Sequence, residues 1–470
     1  MLCAGLAACG PSEIVEPHAA NGPNVLLITI DTLRADRLGG YGYRLPTSPG
    51  IDRLAQRGVK FTDCTVQWPK TWPSMASMLT GAHPKTLGMK FRQQAMHPSL
   101  LLISELFRNA GYSTGAVVTN FNIGRTFGFD QGFDNFIESW QEAWAEQEGE
   151  TPFRNAPGKV KQYTNARIVT DQALGWLQGL DRSRPFFLWL HYMDPHGPYI
   201  PPGRYERHFQ GEYSPEEVPA DRIPRYQMQF DPADGLPVTD LAHYRAQYDR
   251  EIRYLDDEIG RLLREIDASD TLIVFTADHG ESMGEHEYYL EHGMFPYQAS
   301  ARVPLIMVQE GRIPAGKAID SPIGLIDLST TILELAGIGI PATFEGESLV
   351  GMIDGSDPSG GPSHVFMEAG YHDLTQLVVR RGEWKLIAVR SPKDRHTMTG
   401  DSYELYDVIS DPHELNNLTE EYPGIVADLG QVLQDWFIGG ARWKPQGEAI
   451  DFQSLSLEER EMLEALGYLR

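Results

Sequence analysis

Cysteine is scarce in this sequence: there are three in 470 residues, Cys3, Cys9 and Cys64. An odd, sparse set is no disulfide framework, and without any Cys-x-x-Cys pair the common zinc knuckles are excluded. Cys64, in a stretch rich in Trp and Pro, reads as a small buried hydrophobe. Uninterrupted apolar runs of about 18 residues are also missing, so the sequence offers no spanning helix. Positive charge is outweighed: 40 Lys and Arg stand against 65 Asp and Glu, a formal net charge of -25. That excludes the basic stripe a nucleic-acid surface needs. Such a surface also repels an anionic substrate at long range, so the substrate must be drawn in locally, as a buried metal would do.

With 41% hydrophobic and 22% charged residues, the chain has the balance of a folded globular protein. Its length accommodates one large domain and one smaller. The first ten residues are small and apolar, and Leu6-Ala7-Ala8-Cys9 is similar to the cleavage box of a bacterial lipoprotein. On that reading residues 1–23 are leader and tether, Cys9 carries the lipid, and the protein is exported to the periplasm or held at a membrane. The alternative is a chance cluster of Ala and Cys.

Asn24 to Ile30 is a continuous apolar run ending in Asp31, as expected of a buried parallel strand. Similar runs occupy 114–119, 185–192 and 271–276, separated by helical patterns at 100–109 and 169–180. The clearest helix is 240–267, where Leu241, Tyr244, Tyr248, Ile252, Leu255, Ile259 and Leu262 recur at spacings of three and four. Strands alternating with helices predict an α/β fold, a mainly parallel sheet sandwiched by helices, over residues 24–350. The Gly/Pro/Ser/Asp segment 351–362 is the best boundary, and short β-like runs with a final helical stretch predict a small α+β subdomain over 363–470. Segments 140–160 and 200–240 read as long polar and aromatic connections.

In open α/β sheets, ligands bind beyond the carboxyl ends of the strands. Two apolar strands end in Asp there, at Asp31 and Asp278, and a third ends in Leu190-His-Tyr-Met-Asp194-Pro-His196. One such Asp is commonly just a cap after a strand. Several together, with His279, His196 and His292 in the same motifs, are how a sheet assembles a metal site from distant parts of a chain.

Asn24-Val-Leu-Leu-Ile-Thr-Ile-Asp31, Thr71-Trp-Pro-Ser-Met75 with Met78-Leu-Thr-Gly81, and Ala277-Asp-His-Gly-Glu-Ser-Met-Gly284 resemble the sulfatase branch of the alkaline phosphatase superfamily. The likeness continues through Arg302-Val-Pro-Leu-Ile306, Ile326-Asp-Leu-Ser-Thr330 and Glu404-Leu-Tyr-Asp407, and so covers nearly the whole chain. It implies an alkaline phosphatase-like fold and a metal-dependent ester hydrolase. The implied metal ligands are Asp31, Thr71, Asp278 and His279, with Asp194 and His191 as further candidates. The departures are specific. Sulfatases of this branch carry a Cys or Ser, converted to formylglycine, in a Cys-x-Pro-x-Arg setting. Here Thr71 and Met75 hold those positions, and threonine cannot form that aldehyde. Thr32 also replaces an aspartate seen in many sulfatases.

What remains is similar to the hydroxyl-nucleophile members, phosphodiesterases and phosphoethanolamine transferases. Thr71 is then the nucleophile, activated by a metal that depresses the pKa of an oxygen acid, at a helix N-terminus that favours a phosphoryl anion. The bland alternative for Thr71 is an N-cap. His196 and His292 would contact the phosphoryl group or a second metal. A donor set with His and few carboxylates favours zinc or manganese over calcium or magnesium. Expected partners are a small-molecule, glycan or lipid ester, and no nucleic acid. Two other functions are consistent with the residues. One is a sulfatase acting without formylglycine. The other is a non-catalytic glycan-binding lipoprotein stacking sugars on Trp140, Trp144, Phe153, Tyr199 and Tyr205. Arg302, before an apolar strand, reads as a structural pairing.

Overall fold

Buried strands must pair on both edges and be covered on both faces, and the four apolar runs do so at the centre of one sheet. A computed structural model describes residues 22–88, 95–140, 154–156, 159–160, 165–231, 234–371, 374–390, 402–439, 455–456 and 460. The expected leader, Cys9, Trp144 and Phe153 lie outside the described residues.

Strands β1 (Asn24–Ile30), β2 (Val59–Thr65), β3 (Ser113–Val118) and β4 (Asn135–Glu138) are followed by a two-stranded ribbon, β5 (Arg154–Ala156) and β6 (Lys159–Val160). Next come β7 (Phe186–Tyr192), β8 (Thr271–Ala277), a small pair β9 (Ser282–Met283) and β10 (Tyr289–Glu291), then β11 (Arg302–Val308), β12 (Lys317–Ile319) and β13 (Ile323–Gly324). The main sheet runs β12-β2-β11-β8-β1-β7-β3-β4, with β13 also on β2. Its central pairings are parallel; β11 alone runs against its neighbours β8 and β2. The α/β sandwich is as expected. β2 escaped the sequence reading because Lys60, Thr62 and Asp63 interrupt its apolar residues.

The helices are α1 (Pro49–Gln56), α2 (Thr71–Thr80), α3 (Ile103–Asn109), α4 (Ala166–Gln178), α5 (Leu241–Leu263), α6 (Gln298–Ala301), α7 (Asp327–Ala336) and α8 (Val350–Asp354). The 240–267 pattern is α5, started by Asp240, whose side chain accepts from Ala242 N. Helix α2 is buried along its whole length. It stops at Gly81, whose φ of +61° suits glycine and where a Cβ would lie 2.3 Å from the Phe344 ring.

The C-terminal part is a four-stranded antiparallel sheet, β14 (Val365–Tyr371), β15 (Leu374–Arg381), β16 (Trp384–Arg390) and β17 (Ser402–Asp407), with helix α9 (Pro423–Gly439). Side chains alternate between its faces. Leu377, Val379, Leu386 and Leu405 meet Leu429 and Leu433 of α9, while Met367, Val378, Ile387 and Tyr406 join the main core.

At this junction Glu368 is buried, with Oε1 accepting from Lys85 N at 2.7 Å. Burial pushes its carboxyl from 4.5 up to about 7, against the opposing pull of Lys85. A carboxyl raised in the folded state is favourable below its unfolded pKa, and that contribution is lost as pH rises through the folded value. Glu368→Gln is therefore expected to gain about 1 kcal/mol or more over wild type at pH 8, with the gain vanishing near pH 4. Denaturant melts at the two pH values measure this; parallel curves would refute it.

Candidate active site

Strand register builds the site. Ile30 pairs with Tyr192 on one side and Ala277 on the other, so the residues following β1 and β8, Asp31 and Asp278, emerge together at the carboxyl edge. Backbone bonds lock this edge: Asp31 N donates to Tyr192 O at 2.9 Å, and Asp278 N to Ile30 O at 3.2 Å. Asp31, Asp278 and His279 offer ligand atoms within 4.8 Å of one another, all buried. Thr71, the first residue of α2, places Oγ1 3.2 Å from His279 Nε2.

The ring orientations follow from hydrogen bonds. His279 Nδ1 lies 2.9 Å from Gly280 O and donates there, keeping a lone pair on Nε2, and His196 Nδ1 donates to Gly197 O at 2.7 Å, which turns its Nε2 toward the site. His279 Nε2 stands 3.4 Å from Asp278 Oδ2 and 3.8 Å from Asp31 Oδ1. His292 joins the cluster, its ring 4.3 Å from that of His279 and 5.4 Å from that of His196.

Buried polar atoms almost always find partners. Asp31 Oδ1, Thr32 Oγ1, Asp278 Oδ2 and His196 Nε2 are buried without one. Two carboxylate oxygens lacking donors, beside an imidazole lone pair, are a donor set for a divalent cation. The residues fit a metal.

The sulfatase family model matches residues 23–338, well over half of the chain. The chain belongs to the sulfatase family. Residues 284–436 match a second model, N-sulphoglucosamine sulphohydrolase, C-terminal. An arylsulfatase of Clostridium perfringens is 25% identical, covering 87% of this chain and 93% of its own length. The multifunctional alkaline phosphatase superfamily protein PehA of Trinickia caryophylli is 27% identical, covering 90% and 98%. Among solved structures, the phosphonate monoester hydrolase of Agrobacterium radiobacter superposes with a TM-score of 0.71 at 22% identity, over 89% of this chain and 96% of its own. Like its family, the chain is an ester hydrolase.

Within this sulfatase-family site, electrostatics separates the groups. Burial and then neighbouring Asp31 push the Asp278 carboxyl well above its usual range. Burial also opposes ionisation of Asp31, but His196 and then the hydrogen bond from His191 outweigh it and hold that carboxyl low. Burial, then His292, keeps His279 neutral; burial, then His196, does the same for His292. Thr32 sits at φ +58°, where a β-branched residue costs roughly 1–3 kcal/mol. Its backbone is fixed there by Asp278 Oδ1, which accepts from Thr32 N at 3.2 Å, and by Tyr248 OH, which donates to Thr32 O at 2.7 Å.

Some candidates have other tasks. Asp194 Oδ2 accepts from Ala166 N at 2.7 Å, at the start of α4, and Asp194 is not in the three-residue cluster. His191 stands behind Asp31, Nε2 3.4 Å from Oδ2. Ser74 donates to Asp278 O at 2.6 Å. Arg302 donates twice to Thr62 O, a structural pairing. Trp140, Tyr199 and Tyr205 are 4%, 0% and 3% exposed, so they offer no sugar-stacking surface.

Two residues emerge only in three dimensions. Asn120, just past β3, donates from Nδ2 to Asp31 Oδ2 at 2.8 Å. Glu281 is fully buried, its Oε1 3.0 Å from His292 Nδ1 and its Oε2 accepting from Tyr199 OH at 3.1 Å. Burial pushes its carboxyl up to about 8. The spacing from His279 to Glu281 was visible in the sequence, but nothing in it showed the contact with His292.

Proposed function

We propose that this protein cleaves phosphate or phosphonate esters, or transfers the phosphoryl group, through a covalent intermediate on Thr71. One observation carries this: the Thr71 hydroxyl lies 3.2 Å from His279 Nε2, beside the buried cluster of Asp31, Asp278 and His279. Met75, at the position of the formylglycine sulfatases' arginine, is 0% exposed in the core. Zinc or manganese suits the donor set, and a bound metal would lower the pKa of a nearby hydroxyl and polarise the ester.

The Thr71 hydroxyl loses its proton to solvent as Oγ1 forms the new bond to phosphorus and the bond to the leaving oxygen breaks, and Thr71 takes a proton back from solvent when it is released. His292 donates a proton from Nε2 to that oxygen, while Glu281 resupplies Nδ1. His196 donates from its otherwise unpartnered Nε2 to a non-bridging oxygen. Water, or an acceptor alcohol, then releases the group from Thr71 and returns its proton to the pair.

The sulfatase names among its relatives favour one second reading, sulfate-ester hydrolysis without formylglycine. A panel of 4-nitrophenyl esters separates the two. Phosphodiester or phosphonate ester is expected to exceed aryl sulfate by about tenfold or more in kcat/KM. An aryl sulfate turned over best would overturn the phosphoryl reading.

A further inference from the structure

His292 lies just past β10, outside any strand or helix. It precedes segment 293–298, which lies against the C-terminal sheet, and it follows a tight turn in which His286, Glu287 and Leu290 all have positive φ. Aromatic contacts reach this strap, Tyr297 stacking on His286 with ring centroids 3.6 Å apart, and it borders a cavity of about 210 Å³ lined by Tyr297, Gln298, His286, His413 and Glu414 among others.

Polar ties from the C-terminal part grip it as well. Gln376 Nε2 donates to Met294 O at 2.9 Å. Lys385, 1% exposed on β16, donates from Nζ to Pro296 O at 2.6 Å and to Glu414 Oε1 at 2.6 Å. The second oxygen of Glu414 accepts from Gln298 N at 2.6 Å. One buried ion pair thus holds both a carbonyl and an amide of the strap. Glu414 does so at φ +57°, a conformation costly for a residue with a Cβ. Beyond the strap, Ser300 O accepts from Gly280 N at 2.8 Å, next to His279. A Cβ on Gly280 would lie 2.1 Å from Ala299 O, so α6, which continues the strap, is in direct contact with the metal-side turn.

We propose that Lys385 and Glu414 are positioning residues that set His292 against the leaving oxygen from the C-terminal subdomain. The proposal rests on the proton-donor role of His292 given above. The pair's geometry fits positioning better than stability alone, since a buried ion pair is often no more stabilising than apolar residues of the same volume.

Removing one partner leaves an uncompensated buried charge and risks unfolding. The test therefore uses Lys385→Met/Glu414→Leu, which keeps the volume apolar but deletes both ties. Wild type, this double variant, His292→Ala and the triple combination are compared on esters of decreasing leaving-group acidity. The double variant is expected to stay folded with its metal content unchanged and to show about tenfold or faster amide exchange at 293–298. It should lose about tenfold or more on poor leaving groups but little on 4-nitrophenyl esters. Adding it to His292→Ala should cost nothing further. Unchanged exchange, wild-type turnover of poor leaving groups, or losses additive with His292→Ala would overturn the clamp. Wild-type turnover by His292→Ala would instead overturn the role of His292, and this proposal with it.

Discussion

Thr71→Ala is expected to lower turnover of the best ester by about 10⁴-fold or more, the scale on which removing a nucleophile acts. The fold should be unchanged, and the remaining cluster of Asp31, Asp278 and His279 should still hold the metal. The hydroxyl is the only chemistry lost, and alanine is a better helix former than threonine at the start of α2. Ser74, three residues on, cannot substitute, because its hydroxyl already donates to Asp278 O. Thr71→Ser keeps an oxygen in place and should retain activity within about 100-fold of wild type. Intact-protein mass after a rapid quench should show a phosphoryl adduct on wild type and none on Thr71→Ala. Undiminished turnover by Thr71→Ala, with the metal still bound, would sink the nucleophile assignment.

The site was legible where chemistry follows an apolar strand. Both β1 and β8 announce themselves as uninterrupted buried runs, and each is followed by an aspartate, so Asp31 and Asp278 could be singled out before any pairing was known. Their adjacency could not. It depends on β1 lying between β7 and β8 in matched register, a long-range fact that local pattern does not encode. Asp194 shows the converse. It too follows a buried strand, and its carboxylate accepts from Ala166 N at the start of α4, a contact 28 residues distant that no local pattern shows. Asn120 and Glu281 stayed hidden because their partners, Asp31 and His292, lie on other segments. The C-terminal sheet was readable as short strands, but not the alternation that sends one face to α9 and the other into the main core.

Asp278→Asn should separate what the site does from what it costs the fold. In wild type, Asp278 Oδ1 accepts from Thr32 N at 3.2 Å and His279 N at 2.7 Å, whereas Oδ2 has no donor. Asp31 Oδ1, close by, has none either. Without a cation, two buried carboxyls face each other, and each unsatisfied oxygen carries a desolvation cost of about 1–3 kcal/mol. Asparagine keeps the acceptor for the two backbone donors and can turn its amide toward Asp31 Oδ1. The chelator-treated variant is therefore expected to be more stable than chelator-treated wild type, by about 1 kcal/mol or more. Metal should reverse the order. Free metal at about 1,000 times its Kd stabilises a folded state by about 4 kcal/mol. Wild type should show that gain, whereas the variant has lost one of two anionic ligands and should show little of it, with turnover down about 10³-fold or more. Thermal melts of both proteins, with chelator and with zinc or manganese, measure all four states. If Asp278→Asn melted lower than wild type in chelator, yet gained as much from metal, neither the like-charge cost nor the ligand role of Asp278 would stand.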